Sequence, residues 1–215
     1  MGVVRYRWEE MRYLILKKQE ADPTDFVEFW AERYNDKYEP TYRKYIGKLL
    51  TPESVRALLA WKAMSFTRKS IEAGEYPFVE AVIADLEHFQ SIPLNTPAEA
   101  DKFLTNELKG KGMIWKVFTL HILNPAKYPI FDQHVYRAMV YLKTGKIEEI
   151  PPSNEEKQLK YINEYPHFYN EEHKHFEDRK LDKALFSFGQ FLKTRWGNRG
   201  TENSQCPAIT ERSKA

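Results

Sequence analysis

Apolar residues in this chain recur three and four positions apart. No stretch shows the sustained period-two alternation, bounded by Asn-Gly or Asp-Gly turns, that a sheet of strands requires. The spacing predicts an all-α fold. Helices are expected over roughly 5–20, 24–36, 41–48, 53–73, 76–90, 97–107, 112–123, 132–144, 154–175 with a break near Pro166, and 179–195. Three starts carry capping chemistry: Asp22-Pro23, Thr51-Pro52-Glu53-Ser54 and Thr96-Pro97-Ala98-Glu99 each place proline at the first helical position behind a side-chain acceptor. In the last helix Leu181, Leu185, Phe188 and Leu192 form one apolar stripe for burial. Gly189 interrupts it at about 1 kcal/mol relative to alanine, which points to close approach of another backbone.

A hydrophobic fraction of 42% with 14% aromatics excludes a largely disordered chain despite 30% charged residues. The 215 residues are enough for one sizeable core or two small lobes. Residues 1–196 are expected to be the helical part of the chain. The polar segment 197–215, without periodicity, is expected to be a flexible tail. The single cysteine, Cys206, excludes an intrachain disulfide, a cysteine metal site and an iron–sulfur cluster. The N-terminus has no apolar signal core and no run is long enough for a membrane span, so a cytoplasmic protein is expected. His167, His173 and His175 lie among glutamates without metal-ligand spacing, and neither a metal nor a cofactor is expected.

Charge is unevenly distributed although the net is only +2. Residues 102–146 carry eight lysines and arginines against Glu107 and Asp132, a local charge of +6. Residues 147–177 reverse this to −5, with eight glutamates against three lysines. The basic stretch contains Lys109-Gly110-Lys111-Gly112, a glycine turn opening the helix expected from 112. Unpaired N–H groups of a first helical turn accept an anion, so this turn is a candidate phosphate cradle. Asn124-Pro125 and Tyr128-Pro129 then stop that helix, and Asp132 stands at the start of the next. As an N-cap it would accept from the N–H groups at 134 or 135, worth about 1 kcal/mol. The same contacts keep a carboxylate ionised, which suits a group that stabilises a cationic transition state or activates water.

Leu108-x-Gly110-x-Gly112, nineteen intervening residues, and Asp132-x-His134-Val135-x-Arg137 resemble the helix-hairpin-helix DNA glycosylase superfamily of the endonuclease III and MutY type. The local likeness covers about residues 108–137. It implies a helix-hairpin-helix motif in a two-lobed helical domain, with Lys109, Gly110, Lys111 and Gly112 on the DNA backbone and Asp132 catalytic. It also implies double-stranded DNA as partner and a damaged or mismatched base flipped into the cleft. Trp61, Trp115, Phe131, His134 and Tyr136 are the candidate pocket lining. The implied reaction is hydrolysis of an N-glycosidic bond, with the carboxylate stabilising an oxocarbenium-like transition state.

The chain departs from the family pattern at several positions. Bifunctional members carry a Schiff-base lysine at the position of Ile114, so the implied enzyme is monofunctional. Lys116 lies roughly 200° further round the helix and is no substitute. Lys111 stands where a buried aliphatic residue is usual, and Trp115 and Lys116 stand where small residues are common. The alternative reading is a catalytically inactive module on the same scaffold, binding nucleic acid or a protein partner.

Overall fold

The computed structural model describes residues 22–194 except positions 64, 111, 174–175 and 177–178. The helix expected at 5–20, Lys111 and the tail 197–215 lie outside the described residues. All described elements are helical: α1 (Pro23–Ala31), α2 (Glu39–Tyr45), α3 (Pro52–Lys62), α4 (Ser65–Glu72), α5 (Pro77–Ala84), α6 (Leu86–Ser91), α7 (Pro97–Lys102), α8 (Met113–Leu123), α9 (Gln133–Thr144), α10 (Asn154–His173) and α11 (Lys180–Leu192). A 3-10 turn, Asp36–Tyr38, precedes α2, and a π-helical turn, Phe103–Glu107, continues α7.

The capping residues act as their types dictate. Asp22 accepts from the Thr24 N–H at 2.8 Å. Thr51 with Ser54, and Thr96 with Glu99, form reciprocal capping boxes that satisfy otherwise orphaned amides. The stretch expected as one helix over 53–73 is divided, because Arg68 of α4 turns back and donates to the carbonyls of Ala60, Trp61 and Ala63 at 2.8–3.2 Å. These carbonyls of the α3 end thereby gain partners, and the chain is free to turn at Ala63. The stretch expected over 76–90 is likewise divided, at Asp85, and 97–107 changes from α to π at Phe103. The break expected near Pro166 is absent: α10 runs through it. Tyr161, Tyr165 and Tyr169, all buried at helical spacing, hold both halves of α10 in place, and the first two pack on Phe131. That anchoring offsets a proline penalty of about 3 kcal/mol.

Two groups of helices emerge from the packing. In one, α11 lies against both α1 and α9. Its stripe residues Leu181, Leu185, Phe188 and Leu192 are buried, and Phe188 meets Phe26, Trp30 and Tyr141 with ring centroids 5.0–5.5 Å apart. In the other, α3 is central and touches α2, α4, α5 and α8. Helix α10 spans the two, packing on α7, α8 and α9. The approach anticipated at Gly189 is made by the backbone of His134, which an added methyl group would overlap. Arg137, fully buried, fastens the same crossing by donating to the Gly189 carbonyl at 2.8 Å and to Glu149 at 2.6 Å. No helix among the described residues is long and apolar enough to cross a membrane.

Candidate functional site

Asp132 caps α9. Its Oδ1 accepts from the amides of His134 at 2.8 Å and Val135 at 3.2 Å, the two donors its position in the sequence selects. Its Oδ2 accepts from Lys62 Nζ at 2.9 Å, joining the start of α9 to the end of α3 across the two helix groups. The side chains are only 12% and 13% exposed, so the pair is largely withdrawn from water. Each charge also stands at the favourable helix pole, the carboxylate at an N-terminus and the ammonium at a C-terminus. Burial pushes the Asp132 carboxyl upward. The Lys62 ammonium, with help from His134, outweighs that and leaves it below its ordinary value. The carboxylate is therefore ionised at neutral pH.

Aromatic rings form one wall beside this pair. Lys62 Nζ lies 5.7 Å from the centroid of Phe118, which stacks on Trp61 at 5.7 Å and on His121 at 5.6 Å. His121, in the last turn of α8, has both ring nitrogens occupied. Its Nδ1 is 2.6 Å from the Tyr128 carbonyl and must donate, which leaves Nε2 to accept from the Tyr42 hydroxyl at 2.8 Å. Burial drives its pKa down to about 3. It is a neutral core histidine.

Arg179 lies over the faces of Tyr42 and Trp61, 4.2 and 4.9 Å from their centroids, and pairs with Glu39 at 3.0 Å and Asp182 at 2.6 Å. Burial opposes the Arg179 charge, but Asp182, Tyr42 and Glu39 outweigh it and hold the guanidinium protonated. Burial also pushes Asp182 upward from its ordinary value against the pull of Arg179.

The candidate pocket residues make different contacts, and of them His134 donates its amide to Asp132. Trp61 is half-buried in the aromatic wall, between Tyr42 and Phe118. Trp115 faces Tyr76 and Phe78 instead. Phe131 and Tyr136 are core residues, Phe131 among Tyr136, Tyr161 and Tyr165. His134 is half-buried against Phe186, with Nδ1 3.3 Å from Arg137.

The glycine turn connects elsewhere. Gly110 has a φ of +80°, the left-handed conformation that favours glycine, whereas Gly112 has ordinary dihedrals and is the residue before α8. Lys109 is exposed. The first amide of α8, at Met113, donates to Asn154 Oδ1 of α10 at 3.1 Å, so part of the expected anion cradle is filled by the chain's own side chain. Lys116 points away from Asp132, donating to the Leu104 carbonyl at 2.9 Å, and burial lowers its pKa.

Lys62, Asn154, Tyr42 and Arg179 are thus the residues that sequence reasoning did not select. Lys62 had one local signal: it is a cation ending the apolar run Leu58-Leu59-Ala60-Trp61. No group of three or more histidine, cysteine, aspartate or glutamate side chains among the described residues could hold a metal ion. One surface hollow is bordered by α1, α9, α10 and α11, and another by Tyr38, Arg56, Trp61 and Arg68. Neither is lined by Asp132 or Lys62. Comparison with known proteins finds no matching family model, no matching curated sequence and no matching solved structure.

Proposed function

We propose that the chain is a monofunctional DNA glycosylase-like hydrolase of helix-hairpin-helix type, cleaving the N-glycosidic bond of a flipped damaged or mismatched base with Asp132. The observation that carries this reading is the ionised Asp132 carboxylate, held by helix-terminal amides and Lys62 where the two helix groups meet. A fixed anion in a poorly hydrated site stabilises positive charge developing at the sugar C1′, because it needs no reorganisation during the reaction. Lys62 is the positioning residue for that carboxylate. Entry of a flipped nucleoside then requires the helix groups to part at the Lys62–Asp132 pair, bringing the Trp61 and Phe118 wall within reach of the base. The turn at Lys109–Gly112 is the proposed backbone grip, duplex DNA the partner and the cytoplasm the place of action.

Duplexes carrying different damaged or mismatched bases, incubated with the protein and then treated with alkali, test the chemistry. Strand breaks that disappear with Asp132→Asn are expected. A full panel without Asp132-dependent breaks overturns the enzymatic reading.

A second reading, an inactive binding module on this scaffold, is favoured by the Asn154–Met113 hydrogen bond that occupies the helix end. It predicts duplex binding without excision, and tighter binding when Asn154→Ala releases the amide.

A further inference from the structure

One hollow has a volume of about 1550 Å³ and no part in the proposed chemistry. Phe29, Trp30, Leu142, Phe168, Phe188 and Phe191 line it, contributed by α1, α9, α10 and α11. Phe29 and Leu142 are 49% and 44% exposed. Contiguous apolar surface on this scale marks an interaction site.

We propose that the occupant is the chain's own N-terminal segment, residues 3–18, docked as an amphipathic helix along the groove. Val4, Trp8, Met11 and Ile15 recur at i, i+4, i+7 and i+11, one stripe with bulk suited to an aromatic-lined groove. Sixteen residues of helix extend about 24 Å, within the roughly 30 Å of the twenty-residue α10 wall. Charge is complementary: residues 1–21 carry Arg5, Arg7, Arg12, Lys17 and Lys18 against three glutamates, while on the groove lining Asp25, Glu164, Glu171 and Glu172 outnumber Arg33 and Lys143.

The connection is also immediate, since Asp22 caps α1 and the α1 residues Pro23, Phe26, Phe29 and Trp30 themselves border the groove. A segment tethered at the rim is present at millimolar effective concentration, which disfavours a competing partner. The C-terminal stretch 195–215 has no such stripe.

Hydrogen exchange on the full chain tests the docking. Amides of residues 5–18 are expected to exchange at least about tenfold slower than in a synthetic peptide of residues 1–21. Three substitutions should each return them to the peptide rate: Phe29→Glu and Leu142→Glu in the groove, and Trp8→Glu on the segment. The amides of α3 and α8 should keep their protection in all three. Peptide-like exchange in the unsubstituted chain overturns the proposal, as does protection indifferent to all three substitutions. Protection that fades on dilution, together with a light-scattering mass falling from dimer to monomer, assigns the groove to a second copy and equally overturns it.

Discussion

At the scale of single residues, the described site is a set of charges made tolerable by their partners. Asp132 illustrates what a sequence discloses: a carboxylate between a proline-stopped helix and a new apolar period has a nearby destination, the amides two and three residues ahead. Its second oxygen has a destination 70 residues away, at Lys62, and no local pattern encodes that. His121 is the converse case. It is buried in the last turn of α8, and its tautomer depends on Tyr42 and Tyr128 together.

This arrangement makes stability sensitive to acid. With a folded pKa of about 3 against 6.5 when unfolded, His121 takes up a proton only on unfolding in that interval. Its contribution is fully present above the unfolded value and declines as pH falls from about 6.5 toward 3, by about 1.4 kcal/mol per pH unit. His134, also lowered by burial, adds to the upper part of the decline, whereas Glu39 and Asp182, raised by burial, oppose its lower part. Urea unfolding at successive pH values should therefore show stability falling below neutrality. His121→Gln should flatten the slope by about one proton; an unchanged slope would mean that His121 is protonated in the folded protein.

At the scale of elements, starts were more legible than ends. The Asp22, Thr51 and Thr96 caps need only residues within a turn of them, so the sequence contains the whole interaction. The end of α3 depends on Arg68 reaching back over a turn, and the continuity of α10 through Pro166 depends on tyrosines buried against Phe131. Both are tertiary effects that override local preference. The glycine in α11 was visible as an anomaly, while its counterpart in α9 was not. Gly189→Ala would force a methyl group into the His134 carbonyl, and backbone cannot rotate away as a side chain can. A loss of about 3 kcal/mol in urea unfolding is expected. An unaltered midpoint would show that α9 and α11 can separate freely.

At the scale of the whole molecule, the basic stretch read from the sequence is thinned by folding. Arg137 is buried, Lys116 donates to Leu104, Lys127 to Asn95, and Lys143 lies 3.8 Å from Glu164. Lys102, Lys109 and Lys146 are exposed, as are Lys127 and Lys143 beside their partners. A duplex gripped by these and Lys111 should give a log-affinity against log-salt slope of about −2 to −4, and a flat slope would remove DNA as the partner. The all-α class was legible because periodicity is a property of the chain itself. The site was half legible, because its carboxylate is local and its ammonium is not.

The backbone contact at Gly189 has a mechanical consequence. With Arg137 clamping the same crossing, α9 and α11 are coupled like the two limbs of a lever. Were that lever to shift, Asp132 would go with α9, the Arg179–Asp182 pair with α11, and Lys62 would stay on α3. Opening would then leave the Asp132 carboxylate on one face and the Lys62 ammonium on the other, each parted from its counter-charge.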